Sequence, residues 1–147
     1  MKIAIGSDHA GFPLKREIIA FLREKGHTVK DMGVYNAHRS DYPDYAQKVA
    51  QVVLSSECER GILSCGSGVG MCISANKIHG IRAVVCSEPY SAVMSRRHND
   101  ANVLCLGSRV VGVELAQMIV DQWLSAEYEG GRHQKRVDKI KRLEDQY

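Results

Sequence analysis

The stretch GILSCGSGVGMCISANK, residues 61–77, decides both the fold class and the position of the candidate site. Its opening residues 61–64 predict a strand, and the alternating glycines of residues 66–70 predict a tight loop. The following residues predict a helix that runs to Ile78. A glycine-rich loop that opens a helix lets backbone N–H groups converge on an anion, and the helix dipole adds about half a positive charge there. We therefore expect an anion-binding loop at the end of this strand.

Cys65 lies between the predicted strand and the glycine loop. A thiol has an ordinary pKa of about 8.5, and a helix N-terminus is one environment that lowers it towards the thiolate. Cys65 is therefore a candidate base or nucleophile beside a candidate oxyanion cradle. The alternative is that Cys65 is a small buried residue at a strand end.

The composition is that of an ordinary globular domain. The hydrophobic fraction is 44%, the charged fraction is 25%, and the net charge of +3 is too small to indicate nucleic-acid binding by itself. We expect residues 1–147 to form one domain. Five cysteines without paired C-x-x-C spacing indicate no disulfide framework, and we expect those other than Cys65 to be structural. No signal peptide or membrane-spanning run is evident, so we expect a cytoplasmic protein without membrane association.

Short β-branched segments alternate with amphipathic segments along the chain. Strands are predicted at residues 3–6, 27–31, 61–64, 82–86 and 103–107. Helices are predicted from residue 13 to a C-cap at Gly26, over 44–54, after the glycine loop, over 89–97 with a break at 98–100, and over 113–124. Alternation at this spacing predicts a doubly wound α/β fold with a five-stranded parallel sheet.

Three polar segments follow predicted strands and should meet at one edge of the sheet. They are Asp8 with His9, the loop 65–70, and the segment that contains Arg109. Ligands of open α/β sheets bind outside the carboxyl ends of the strands. This common position favours a functional role for Cys65.

A basic helix is predicted after Gly130. Arg132 and Arg136 lie four residues apart and therefore on one face, where two guanidinium groups suit a phosphate. The alternative is an ordinary solvated basic face. A narrow apolar stripe suits this helix to packing on a second subunit, which would let its arginines reach a neighbour's site; the stripe residues are Val137, Ile140 and Leu143.

The glycine loop does not match the common cofactor-binding motifs. It has the spacing G-x-G-x-G instead of G-x-G-x-x-G, it follows the third strand, and it lacks a Walker A lysine. We therefore expect neither NAD nor ATP, but a smaller phosphorylated ligand. His9, His98 and Asp8 could meet around a metal ion, but no local ligand pair supports this, so we expect no metal and no cofactor.

Several motifs, in one order along nearly the whole chain, resemble the ribose-5-phosphate isomerase type B family, which includes galactose-6-phosphate isomerase subunits. They are SDHAG at 7–11, SCGSGVG at 64–70 with ANK at 75–77, GIRA at 80–83, RRHNDAN at 96–102, GSRV at 107–110 and YEGGRH at 128–133. The resemblance implies a Rossmann-like three-layer sandwich with an extra C-terminal helix. It also implies metal-independent catalysis by a homodimer or tetramer whose sites lie at the subunit interface.

The resemblance implies an aldose-ketose isomerase that interconverts ribose 5-phosphate and ribulose 5-phosphate through an enediolate, in the non-oxidative pentose phosphate pathway. Cys65 would then be the base for the carbon-bound proton, and the glycine-loop amides would form an oxyanion hole. Ser67 would hold or move the hydroxyl proton. His98 would open the sugar ring, because imidazole titrates near neutral pH. The implied loop residues are Gly66, Ser67, Gly68, Val69 and Gly70.

The resemblance also implies the substrate contacts. Asp8 would orient sugar hydroxyls or assist ring opening, and Tyr42 and Asn99 would contact the sugar. The phosphate would be held by four basic residues, the last two donated by the partner chain: His9, Arg109, Arg132 and Arg136.

Three other functions stay open on the sequence. The substrate could be a six-carbon sugar phosphate, such as allose or galactose 6-phosphate, because pocket shape decides chain length. A non-catalytic sugar-phosphate binding domain would need the loop and the arginines but neither Cys65 nor His98. A nucleic-acid-binding protein would use the basic C-terminal helix, but the chain lacks a wider basic stripe, so we expect no nucleic-acid partner.

Overall fold

The computed structural model describes residues 1–146, in which strands and helices alternate until two consecutive helices end the fold. The strands are β1 (Lys2–Ser7), β2 (Thr28–Asp31), β3 (Arg60–Cys65), β4 (Ala83–Val85) and β5 (Val103–Gly107). The helices are α1 (Phe12–Glu24), α2 (Tyr42–Leu54), α3 (Val69–Ala75), α4 (Pro89–Asn99), α5 (Val113–Ser125) and α6 (Arg132–Glu144).

The strands form one parallel sheet in the order β2-β1-β3-β5-β4. The three central strands end together, because Ser7 pairs with Ser64 and Cys65 pairs with Gly107. The five-stranded doubly wound sheet predicted from the sequence is thus confirmed, and so is the extra C-terminal helix α6.

Two hydrophobic clusters cover the two faces of the sheet and make the three layers. Alternate residues of β1 divide between them: Ile3 and Ile5 pack with α1 and α5, whereas Ala4 packs with α2 and α3. This alternation follows from the period of two along a strand. Both faces are buried, as a parallel sheet requires.

The sheet has a switch point between β1 and β3. The chain leaves β1 for α1 on one face, and leaves β3 for α3 on the other face. The two connecting loops therefore diverge and leave a crevice at the carboxyl ends of these strands, where ligands of this fold class bind.

Element boundaries differ from the sequence-based expectation in two places that matter for the site. The helix after the glycine loop ends at Ala75 instead of Ile78. The predicted break of α4 at His98 is wrong: α4 continues through His98 and Asn99, and Asp100 ends it with a left-handed backbone, φ 49°. His98 therefore belongs to the last helical turn. Among residues 1–146, no helix has the length and apolar character needed to cross a bilayer.

Candidate active site

A cleft of about 620 Å³ opens at the switch point of the sheet. The segments predicted to meet there do so, and the cleft is lined by Asp8, His9, Ala10, Tyr42, Cys65, Gly66, Ser67, Val69, Gly70, Ile73, Arg109 and Val110. Its volume lies within the range of small-molecule sites, about 300–1,000 Å³.

Cys65 ends β3 at the base of this cleft and is only 4% exposed. Its Sγ accepts a hydrogen bond from the backbone amide of Gly68, 3.2 Å away. This contact fixes the orientation of the Cys65 side chain at the start of the glycine loop.

The turn between Cys65 and α3 depends on Gly68, which has φ 79°. A Cβ at Gly68 would lie 2.9 Å from the backbone carbon of Leu106, so both conformation and space require glycine. The next residue along the chain, Val69, donates its amide proton to Oγ of Ser67 at 3.2 Å. The hydroxyl of Ser67 is thereby positioned beside the cleft.

Asp8 and His9 come from the loop after β1, and both side chains are oriented by protein groups. Asp8 is 6% exposed, and its Oδ1 accepts the amide proton of Gly11 at 2.9 Å. Nδ1 of His9 lies 3.2 Å from both the amide nitrogen and the carbonyl oxygen of Ser40. Because Ser40 occupies Nδ1, Nε2 is the imidazole atom of His9 left to meet a ligand.

Tyr42 and Arg109 form the two sides of the cleft. Tyr42 opens α2, and its ring lies so close to Gly70 that a Cβ there would be 2.8 Å from it. The amide of Arg109 donates to the carbonyl oxygen of Gly66 at 3.0 Å, and its guanidinium group extends beside that glycine.

Two residues that sequence reasoning missed tie these loops together. Ser108 Oγ donates to the carbonyl oxygen of Ala10 at 2.7 Å, and its amide donates to the carbonyl oxygen of Cys65 at 2.9 Å. Ser40 holds His9 as described. Ser108 was visible inside the GSRV motif, but no local pattern marks Ser40.

The structure does not bring four of the predicted site residues into this cleft within one chain. They are His98, Asn99, Arg132 and Arg136, and none of them lines it. The last turn of α4 is tied to Arg82, the residue before β4, whose guanidinium group donates to the carbonyl oxygens of Asn99 and Asp100. This end of α4 therefore lies at the amino edge of the sheet, opposite Cys65. The possible metal group of Asp8, His9 and His98 is accordingly wrong for a single chain.

A second polar cluster forms at that opposite edge. The rings of His98 and His133 stack with centroids 4.2 Å apart and an angle of 11°. Glu129 lies beside both, with Oε2 3.9 Å from Nε2 of His98 and 3.4 Å from Nε2 of His133. Arg97 forms an ion pair with Glu129. Arg132 and Arg136 flank this cluster on exposed positions of α6.

The charges of the second cluster affect its pKa values. Burial lowers the pKa of His133 from 6.5, and neighbouring His98 and Arg132 lower it further. Burial by itself would raise the pKa of Glu129, but Arg97 and the two histidines outweigh it and lower that pKa. The stable state near neutral pH is thus an ionised Glu129 beside a neutral His133.

Comparison with known proteins identifies the family of this chain. The family model described as Ribose/Galactose Isomerase matches residues 3–140. The chain is 62% identical to Ribose-5-phosphate isomerase B of Escherichia coli over 97% of this chain and 96% of that protein. The structure of Clostridium thermocellum Ribose-5-Phosphate Isomerase B is similar with a TM-score of 0.99, at 57% identity, covering 100% of this chain and 99% of that one.

A further solved structure includes a bound sugar phosphate. Ribose-5-phosphate Isomerase B from Mycoplasma genitalium with bound Ribulose-5-phosphate has a TM-score of 0.93 and 45% identity, and the match covers 99% of this chain and 97% of that one. The resemblance expected from the sequence and the observed fold both agree with these matches. This chain belongs to the Ribose/Galactose Isomerase family.

Proposed function

We propose that this chain is a ribose-5-phosphate isomerase that interconverts ribose 5-phosphate and ribulose 5-phosphate through an enediolate. The observation that carries the proposal is the buried Sγ of Cys65, which faces a cleft of sugar-phosphate size and accepts the amide proton of Gly68 at 3.2 Å. The 62% identity to the Escherichia coli Ribose-5-phosphate isomerase B supports it.

Cys65 is the base in this mechanism. Its thiolate takes the proton from C2 of the open-chain aldose, the electron pair moves to form the enediolate, and the proton returns to C1 of the ketose. The negative charge on the enediolate oxygen is stabilised by amides of the glycine loop, whose first helical N–H groups have no partner within α3. Ser67 transfers or holds the hydroxyl proton between O1 and O2.

The phosphate and the sugar are held at the sides of the cleft. His9 and Arg109 provide the donors that this chain contributes to the phosphate, and Tyr42 and Asp8 contact the sugar. Charge-assisted bonds of this kind contribute about 1.5–3 kcal/mol each.

The remaining groups come from the partner chain of a homodimer. His98, Asn99, Arg132 and Arg136 cannot reach the cleft of their own chain, because the last turn of α4 lies at the other edge of the sheet. All four are partly or fully exposed, so they are accessible to a neighbouring molecule. His98 of one protomer would then open the sugar ring in the cleft of its partner, and the two arginines would complete the phosphate site.

The free cysteines support a cytoplasmic location for the reaction. All five cysteines are free and four are buried, which fits a reducing cytoplasm. One sheet organises the described residues, so we propose one isomerase domain over residues 1–147, working in the non-oxidative pentose phosphate pathway without a cofactor.

A second candidate substrate is a six-carbon sugar phosphate. The family description names galactose as well as ribose. The cleft is open at one side, so its volume of about 620 Å³ leaves room for an additional hydroxymethyl group.

The test is turnover of ribose 5-phosphate and of allose 6-phosphate in the presence of a chelator, by native protein and by Cys65→Ala. We expect the pentose to be converted and Cys65→Ala to lose at least about 1,000-fold in kcat while it still binds substrate. Conversion of the hexose alone would replace the substrate but keep the mechanism. Binding without turnover by the native protein would favour the non-catalytic binding domain.

A further inference from the structure

A cluster of three metal-binding side chains lies outside the cleft. The ligand atoms of His98, Glu129 and His133 all lie within 4.8 Å of one another. Two histidines and one glutamate form a ligand set that proteins use for zinc in hydrolytic sites. None of the residue roles assigned so far needs Glu129 or His133.

The backbone fixes all three residues in place before any ion arrives. His98 sits in the last turn of α4, and the amide of Glu129 donates to the carbonyl oxygen of Arg97 at 3.0 Å. The amide of His133 donates to the carbonyl oxygen of Gly130 at 3.0 Å. The ligands therefore come from two segments that are hydrogen-bonded to each other, which lowers the entropy cost of closing a site.

His133 provides a second observation that points to a ligand. Its side chain is 5% exposed, and its Nε2 has no hydrogen-bond partner among the residues that the structure describes. Buried polar atoms are nearly always paired, so an unpaired one indicates a missing partner. The atom is aimed at Oε2 of Glu129, 3.4 Å away but outside hydrogen-bond geometry.

Two of the three ligand separations are close to those around a tetrahedral ion. Zinc bonds of about 2.0–2.1 Å place neighbouring ligand atoms about 3.4 Å apart. The separation of Glu129 from His133 is already 3.4 Å, and that of Glu129 from His98 is 3.9 Å. The two imidazoles must open from their 11° stacking so that both Nε2 lone pairs converge on the ion.

We propose that His98, Glu129 and His133 bind one divalent transition-metal ion of the zinc class, and that the bound ion inhibits the isomerase by withdrawing His98 from ring opening. The binding stands on this geometry alone, whereas the inhibition rests on the proposed function. The fourth position is open to water or to an anion. Mg²⁺ is not expected there, because it prefers oxygen ligands.

The positively charged side chains around the cluster limit its affinity for a divalent cation. Arg97 is paired with Glu129, and Arg132 and Arg136 lie near His133. These arginines repel a divalent cation, but they attract an anion that binds the metal ion as its fourth ligand. Inorganic phosphate should therefore strengthen metal binding. A histidine must be neutral to bind a metal ion, so binding should be weaker in acid than at neutral pH.

The test titrates the full-length, reduced, chelator-stripped protein with Co²⁺, followed by visible absorption, and with Zn²⁺, followed by calorimetry. We expect one ion per chain, d–d bands of four- or five-coordinate Co²⁺, and no sulfur-to-cobalt charge-transfer band. Glu129→Gln should weaken binding at least about 10-fold. His79→Gln, at an exposed histidine, is the matched control and should bind as the native protein does.

The thiol of Cys65 in the cleft is another group that binds zinc. Cys65→Ala removes that thiol and should still bind one ion per chain at the cluster. No saturable binding, binding unchanged in Glu129→Gln, or binding lost in Cys65→Ala would each overturn the metal site. Turnover should fall on addition of Zn²⁺ and recover with a chelator. If the cluster binds zinc and turnover is unaffected, the inhibition is wrong; if no sugar phosphate is converted without zinc, the proposed function fails while the cobalt spectrum still decides the site.

Discussion

The backbone amide of Gly68 donates a hydrogen bond to Sγ of Cys65 across 3.2 Å, so the candidate base and the left-handed turn of the glycine loop form one unit. The φ of 79° at Gly68 aims this amide back at the end of β3. A loop without that turn would leave the thiol buried without a donor. The first prediction follows from this dependence.

Gly68→Ala should lower both stability and activity. The left-handed backbone costs an L-residue about 1–2 kcal/mol, and the added Cβ would lie 2.9 Å from the backbone of Leu106. A shifted amide would reduce kcat by about 100-fold. Urea unfolding and steady-state kinetics measure the two effects. Gly26→Ala is the control, because φ is 82° but nothing lies within 4 Å of the added Cβ. Backbone strain should therefore lower its stability, and kcat should not change.

Mixing two inactive variants should restore activity if each site uses both protomers. In the proposed mechanism, Cys65→Ala lacks the base, and His98→Asn lacks the ring-opening group that the partner's cleft receives. After subunit exchange, half of the dimers are mixed, and each mixed dimer has one intact site, so about 25% of native activity should return. No recovery despite exchange, confirmed by native mass spectrometry, would mean that Cys65 and His98 of one protomer serve the same site. Full activity of the His98→Asn homodimer before mixing would mean that His98 is not needed.

The thiol of Cys72 should be more reactive than a structural cysteine. A hydrogen bond from Cys105 lowers the pKa of Cys72 to about 7, although burial opposes the shift. Burial raises the pKa of Cys86 to about 11, and it also raises the pKa of Cys58 and Cys105. We expect iodoacetamide at pH 7.5 to label Cys72 faster than these three, and the rate to fall as the pH drops below about 7.

Peptide mass spectrometry measures the labelling of each thiol. Cys105→Ala removes the hydrogen bond and should slow the labelling of Cys72 at neutral pH, whereas Cys86→Ala should not. Sugar phosphate should protect Cys65, which lines the cleft, but not Cys72, which does not. Equal labelling of Cys72 and Cys86 at neutral pH would contradict the assigned order.

Asp31→Asn should destabilise the protein by about 3 kcal/mol. Nζ of Lys15 is fully buried and lies 2.6 Å from Oδ1 of Asp31, so removing the carboxylate leaves a buried cation without its counter-ion. Asp121→Asn is the matched control, because its partner Lys25 is 48% exposed and the loss should stay below about 1 kcal/mol. Thermal unfolding compares the two; similar losses would argue against a structural role for the buried pair.

The pair also supports the site, because Asp31 Oδ1 accepts the amide proton of Gly33 at 2.9 Å, and the carbonyl of Gly33 accepts the amide proton of Ser7 at 2.8 Å. The loop held in this way continues to Ser40, the partner of His9. We therefore expect Asp31→Asn to raise KM for the sugar phosphate more than it lowers kcat.

The local secondary structure could be predicted from the sequence alone. The strands and the glycine loop follow from β-branched runs and from glycine spacing, because such patterns act over a few residues. The sequence also located Cys65, His9 and Arg109 at one sheet edge, since the carboxyl ends of parallel strands share an edge. The three polar segments that line the cleft were therefore predictable from residue order, whereas Tyr42 was expected only through the family resemblance.

Only the tertiary structure decided the contacts between distant segments. It carried α4 through His98 to the opposite edge, buried Lys15 against Asp31, and joined Ser108 to Ala10 across 98 residues. It also set Glu129 beside two stacked histidines. Such contacts depend on how helices pack on the sheet, which is a property of the whole chain and leaves no mark in local periodicity.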